Sequence, residues 1–325
     1  MPLLSISLKV FTISAFIIAG ESIAQGVYPD RPVRFIVPFV AGSGADVIAR
    51  LVGQKVTEMW GHAIVVDNRG GAAGNLGADL VAKSAPDGYT ILLGNIATHG
   101  INPGLYKKLP YDPIRDFAPV TLLASVPPVL VVHPSIPARS VRELIALAKA
   151  RPGELNYGSA GIGSGSHLTG ELLNSLAKIH LVHVPYKGSG QSLTALLTGE
   201  VAIVFTGVLS ASPFVKSGRL RALGVSGNKR LAIAPEVPTM AEAGLPGFDV
   251  DFWYGVLAPS GTPAAIVTKL NEGFVKVLGN KDTRERLENQ GARVYGDTPE
   301  QFAAFIRAEI QKWDKVIKSA GIPAN

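Results

Sequence analysis

The sequence predicts an α/β protein made of two halves joined by two chain crossings. Three observations carry that expectation. The chain has 325 residues, more than one core usually organises, so two domains are expected. Apolar, strand-like runs repeatedly end in glycine turns that open into helices, the pattern of β–turn–α units in a parallel sheet. The chain beyond "PGFDVDFWYGVLAPSGTP" is helical and has no strands of its own, so it must return to cover an earlier sheet.

The elements follow in order. "RPVRFIVPFVAGSGADVIARLVGQKVTEMWGHAIVVDN" reads as a strand over 33–39, a glycine turn, a helix and a strand over 63–66. The helix runs from Ala45, with Val47, Ile48, Leu51, Val52 and Val56 at helical spacing. "GGAAGNLGADLVAKSAPDGYTILLGNIATHG" gives a glycine-opened helix, a turn at Pro86-Asp87-Gly88 and a strand over 90–93. Two apolar runs flank Pro127-Pro128. Ser140 precedes a helical stretch, with Glu143 at capping-box spacing. A short strand at "LNYGS" follows. "IHLVHVPYKGSGQSLTALLTGEVAIVFTG" adds strand, turn, helix and strand, and "RLRALGVSG" a further strand. In the tail, Thr262-Pro263 and Thr298-Pro299-Glu300-Gln301 read as helix starts. Phe302, Phe305, Ile306, Ile310, Trp313 and Ile317 form a core-facing stripe. The first half is the natural host of this tail. The chain then crosses between halves near 125–131 and 249–256, which makes a hinge.

The N-terminus reads as an export signal over residues 1–24. Lys9 precedes an apolar core over 10–20 that is too short to span a bilayer, and Ser22-Ile23-Ala24 is a small-x-small site that places the cut before Gln25. The remainder divides into one domain of 25–126 plus 251–325 and a second of 127–250. There is no cysteine, so disulfides, thiol chemistry and lipoprotein attachment are excluded. The net charge of +6 is scattered and not interleaved with aromatics, which argues against nucleic acid as a partner. A mild positive field suits small anions. The mature protein is expected to be soluble, exported and monomeric.

The chemistry gathers at strand-to-helix turns. Residues 40–46, 158–167 and 187–191 are rich in Gly and Ser, and Gly94 to His99 follow another strand end. In "NYGSAGIGSGSHLTGELL", Gly158, Gly161, Gly163 and Gly165 alternate with Ser159, Ser164 and Ser166 before a helix. First-turn N–H groups lack intrahelical partners and carry partial positive charge, so such turns suit an anion at the carboxyl ends of strands. The plain alternative is a flexible loop with a serine cap. His167 lies in the first turn and either supports the cap or meets a ligand. Tyr186 is a candidate cleft wall, Lys187 a solvated cation, and His180 with His183 a surface or packed pair. For Trp253 and Tyr254 the choice is hinge packing, the favoured reading, or an apolar wall.

Other classes fit less well. Gly42-Ser43-Gly44 follows a strand and Asp67 ends the next, as a dinucleotide site would ask, but Val47 stands where the third glycine belongs. Ser166 breaks the same pattern in the later loop. There is no G-x-S-x-G elbow, and His62, His99, His133, His167, His180 and His183 lack zinc-site spacing. No cofactor and no metal are expected.

"YPDRPVRFIVPF", "VVDNRGGAAGNLGA", "DGYTILLGN", "LPYDPIRDFAPV", "HLTGELL", "HVPYKGSG", "EVPTMAEAGLPGF" and "YGVLAPSGTP", in this order, span the chain. It resembles the periplasmic substrate-binding proteins of tripartite tricarboxylate transporters, the Bug or TctC-like family. The resemblance implies a two-domain, Venus-flytrap fold of the type II periplasmic-binding-protein kind, without catalysis. It implies a small carboxylate ligand held largely by backbone N–H groups, with membrane transporter subunits as partners. A sensing role is the alternative. Carried over, the grip falls on Phe39, Ala41, Gly42, Ser43, Gly44, Ala45 and Asp46, and on Ser159 with Gly163, Ser164, Gly165, Ser166 and His167. Asn95 and Thr98 contribute from another turn, and Tyr186, Gly188 and Thr206 complete the expected set. The family often has Thr or Ser in place of Ala45 and Asp in place of Thr206, so a hydroxyl donor and a negative charge are missing here.

Overall fold

The computed structural model describes residues 28–319, 321 and 322. The export signal read over 1–24 lies outside the described residues. The first lobe-forming run is β1 (Val33–Val37), α1 (Gly44–Trp60), β2 (Ile64–Asn68), α2 (Asn75–Ala82), β3 (Thr90–Asn95), α3 (Asn102–Leu105) and β4 (Phe117–Val126). The second is β5 (Val129–Val132), α4 (Val141–Ala150), β6 (Asn156–Ser159), α5 (Gly165–Ala177), β7 (Val182–Pro185), α6 (Ser189–Leu197), β8 (Ile203–Thr206), α7 (Val208–Lys216) and β9 (Arg221–Val225). The tail is β10 (Phe252–Pro259), α8 (Ala264–Gly279), α9 (Lys281–Glu288), β11 (Arg293–Val294) and α10 (Pro299–Ser319).

Two separate sheets result, ordered β11-β4-β10-β3-β1-β2 and β7-β6-β8-β5-β9. The repeating β–turn–α units give parallel pairs, β1 with β2 and β3, and β6 with β7 and β8. The strands on which the chain enters one sheet from the other run the other way. β10 is antiparallel to β3 and β4, and β5 is antiparallel to β8 and β9. Both sheets are therefore mixed. The chain leaves the first sheet after β4, enters the second at β5 through Pro127-Pro128, and returns after β9 to β10.

The tail does cover the first sheet. α8 packs on β4 and α1, and α10 packs on β4, α3 and the helical turn Ala97–Ile101. Its stripe works as read: Phe302, Ile306, Trp313 and Ile317 are buried, with Phe305 and Ile310 packed beside them. Thr298 and Gln301 cap α10 reciprocally, Thr298 N–H to Gln301 Oε1 at 2.9 Å and Gln301 N–H to Thr298 Oγ1 at 3.3 Å. Two details differ from the sequence reading. The tail holds a strand, β11, which is too short to carry a pattern but pairs with β4. Thr262 does not cap α8: its hydroxyl donates to Pro259 O at 2.7 Å, and Pro263 takes the N-cap position.

Trp253 is fully buried at the start of β10, with Phe302 and Phe305 edge-on to its ring. Its role is packing, the favoured reading. One apolar cluster contains Ile36, Leu92 and Trp253 of the first sheet and Leu130, Tyr157 and Phe205 of the second, so the cores meet across the seam. Among the described residues no helix is long and apolar enough to cross a membrane.

Candidate functional site

β1 stops at Val37, two residues earlier than read, because Pro38 has no N–H to continue a ladder. The chain then turns over 38–43 into α1. Gly42 sits at φ +78, a conformation that favours glycine, with open space where a Cβ would point. Ser43 is the N-cap, and its Oγ accepts Asp46 N–H. Asp46 is buried and fully engaged: it accepts Gly42 N–H at 2.9 Å, Arg50 Nε at 3.0 Å and Asn68 Nδ2 at 3.0 Å. Burial works against its charge, but the bonds from Arg50, Gly42 and Asn68 outweigh it and hold the carboxyl below its ordinary range. Asp46 thus fixes the turn from within. Gly44 and Ala45, at the first two helical positions, keep N–H groups that α1 itself cannot satisfy. Asn68 Nδ2 also reaches Phe39 O at 3.1 Å, and Ala41 is exposed.

The corresponding loop of the second sheet runs from Ser159 at the end of β6 to α5. Ser164 is the N-cap and its Oγ accepts His167 N–H at 3.3 Å. Gly163 N–H goes to His167 Nδ1 at 3.3 Å, and Ser164 N–H to Gly161 O at 3.1 Å. Ser166 Oγ accepts Ala160 N–H at 3.0 Å. An expectation that the whole run from Gly163 to His167 offers N–H groups is therefore corrected. The loop consumes three of them internally and leaves those of Gly165 and Ser166.

Both loops lie against β10. Phe252 and Tyr254 are two apart on one strand and so face the same side. A Cβ on Gly165 would lie 2.7 Å from the Phe252 ring and 3.3 Å from Ile96 Cγ2, and one on Gly44 would lie 3.6 Å from Tyr254 Oη. A Cβ on Gly163 would lie 3.3 Å from Ala73 Cβ and 3.0 Å from Leu105 Cδ2. Bare glycines thus let α5 seat its N-terminus against the first lobe. Sequence reasoning placed Tyr254 with Trp253 in packing and left Phe252 out. Alternation along β10 separates them: Trp253 points into the core, while Phe252 and Tyr254 floor the seam. The Tyr254 hydroxyl has no partner among the described residues, and burial pushes its pKa up to about 12, so it keeps its proton.

The remaining candidates fall around this seam. Asn95 ends β3 beside Tyr254. Its Oδ1 accepts Ala97 N–H at 2.9 Å and Thr98 N–H at 3.3 Å, while its buried Nδ2 has no partner among the described residues. Thr98 closes the turn by accepting Asn95 N–H and meeting His99 Nδ1. Tyr186 follows β7 next to β6, and its hydroxyl donates to Glu200 at 2.8 Å. Gly188, at φ +149, is the N-cap of α6. Thr206 ends β8, buried, one strand from β6. Asp67, the acid a dinucleotide site would need, pairs with Arg34 and with Arg69 at 2.9 Å.

Two mixed sheets linked by two chain crossings, with helix N-termini of both lobes at a common seam, form the two-domain solute-binding-protein fold. The chain belongs to the family described as tripartite tricarboxylate transporter family receptor, whose profile matches residues 48–322. BugT of Bordetella pertussis is 38% identical over 318 residues, covering 96% of this chain and 98% of BugT. Among solved structures, an R. palustris protein with adipate superposes with a TM-score of 0.86 at 40% identity, covering 91% of this chain and 99% of the other. MatC from Rhodopseudomonas palustris with bound malate gives 0.82 at 37% identity, covering 89% and 100%.

Proposed function

We propose that this protein is a periplasmic receptor that takes a small carboxylate between its lobes and delivers it to a tripartite tricarboxylate-type transporter in the membrane. The carrying observation is the pair of helix N-termini over one face of β10. Gly44 and Ala45 from α1, and Gly165 and Ser166 from α5, present first-turn N–H groups that their own loops do not use. An anion is the natural partner of such groups. The Tyr254 hydroxyl and Asn95 Nδ2 add neutral donors, and Thr206 and Tyr186 border the second-lobe side. Relatives solved with adipate and malate support the ligand class. The lobes of this reading are 25–126 with 251–325, and 127–250, exported after cleavage near Gln25. The protein acts as a monomer, binds without catalysis, and needs no cofactor.

The test is thermal unfolding with a carboxylate panel and the matching neutral amides. A ligand at one hundred times its dissociation constant stabilises by about 2.7 kcal/mol, a shift of roughly 4 °C for a chain of this size. Carboxylates should produce it and amides should lose most of it, because a neutral oxygen gains less from a helix N-terminus. A shift given by neutral compounds alone would overturn the reading.

A further inference from the structure

His183 lies on β7, paired with Tyr157 of β6. Its Nε2 is 2.6 Å from Ser159 Oγ, which accepts Gly161 N–H at 3.0 Å. Its ring is stacked between two others: Tyr157 at 5.0 Å and 26°, and His167 at 4.0 Å and 24°. His167 in turn accepts Gly163 N–H through Nδ1. Tyr157 is anchored by its hydroxyl, which reaches Glu171 at 2.6 Å and His167 O at 3.2 Å. One imidazole on β7 therefore touches both supports of the loop, the hydroxyl that holds Gly161 and the ring that holds Gly163. A surface or packed histidine would need only one of these contacts.

We propose that His183 is a positioning residue for the carboxylate cradle: by holding Ser159 and backing the His167 ring, it fixes residues 159–164 in the conformation that leaves the Gly165 and Ser166 N–H groups free. The proposal rests on reading this loop as the cradle. Its physical basis is preorganisation. Unpaired N–H groups in a mobile loop would turn to carbonyls of the loop or to water, and a ligand would have to order them at the expense of affinity. The ring stack and the Ser159 bond remove that freedom beforehand.

Two substitutions separate the contacts. His183→Phe keeps an aromatic ring in the stack and removes Nε2; His183→Gln keeps a polar atom and removes the ring. Amide hydrogen exchange reads the loop without any ligand. His183→Phe should speed exchange at Gly161 by about tenfold, the scale of one lost hydrogen bond, with less effect at Gly163. His183→Gln should reverse that order. Ser159→Ala removes the other end of the same bond without adding bulk. It also removes the acceptor of Gly161 N–H itself, so it sets the full exchange effect at that amide against which the two His183 variants are read. Combined with it, His183→Phe should add nothing further at Gly161, which general destabilisation would not reproduce.

Affinity for adipate, measured by calorimetry, completes the test, and His183→Phe should weaken it by about tenfold. Unchanged exchange at both glycines overturns the positioning role. Altered exchange with unchanged adipate affinity overturns its link to the cradle. If the wild-type protein binds neither adipate nor any other carboxylate of the panel, the cradle reading fails instead, and exchange still decides whether His183 orders the loop.

Discussion

Asp251 Oδ2 lies 3.1 Å from Arg293 Nη1 where the chain passes between its two sheets. The same oxygen accepts the Ser125 hydroxyl at 2.9 Å, from the end of β4. Arg293 also reaches Asn228 Oδ1 at 3.3 Å and Lys229 O at 3.0 Å, beyond the end of β9. One guanidinium thus ties the exit from the first sheet, the exit from the second and the return into β10. Burial raises the Asp251 pKa above its ordinary range, although Arg293 and Ser125 pull it down.

Replacing Arg293 by Ala leaves that carboxylate buried without its cation. The expected loss is about 3 kcal/mol, and Asp251→Asn in the same chain should restore part of it. Urea denaturation of the two variants measures both effects. Equal stability of Arg293→Ala and wild type would mean that the staple contributes nothing.

Ser164→Ala removes the N-cap of α5 and should lower stability by about 1 kcal/mol. It should also weaken carboxylate binding, because the first turn that presents Gly165 and Ser166 loses its fixed entry. Ser43→Ala should do the same for α1. Denaturation and titration of each variant test the pair, and an unaltered carboxylate affinity in both would detach the helix N-termini from the site.

Glu309 accepts the indole N–H of Trp253 at 2.9 Å and of Trp313 at 3.1 Å, and Lys312 lies 3.1 Å from its other oxygen. Glu309→Ala strands two buried donors. A loss of roughly 2–6 kcal/mol is expected at 1–3 kcal/mol for each unsatisfied group, with altered tryptophan emission in the folded state. Thermal unfolding followed by fluorescence reads both.

Acid should destabilise the protein well above the carboxylate range. Burial lowers His99 to about 3, and burial with His167 lowers His183 to about 3. Both are neutral when folded and have an ordinary pKa of about 6.5 when unfolded. The unfolded chain therefore binds more protons below that value. The stability present above pH ~6.5 is progressively lost as pH falls toward the folded values. Between pH ~6.5 and ~5.5 ordinary carboxylates stay ionised in both states, so histidines set the main slope there, and the raised Asp251 carboxyl works against it further down. His183→Gln should flatten it, as followed by urea midpoints across that window.

Sequence pattern alone carried the local grammar. The turns 40–46 and 158–167, the caps Ser140 and Thr298, and the apolar stripe of α10 were legible because each depends on residues within a few positions of one another. The family wording supplied the class of ligand. Long-range pairing decided what remained. β11 is two residues long and exists only because β4 offers it an edge. Asp46 read as part of the grip until Asn68, 22 residues on, joined its near neighbours Gly42 and Arg50 around the carboxylate. Gly163 and Gly165 spelled a flexible or anion-holding loop, whereas their bareness also admits Ala73, Leu105 and Phe252 from the other lobe. His183 carried no signal at all, since its partners Ser159 and His167 lie far off in sequence and reach it only through the pairing of β6 with β7. Periodicity and capping report interactions a short segment makes with itself. Which N–H groups stay free, and what floors the seam, are fixed by contacts between segments, and those form only when both sheets close on the same chain.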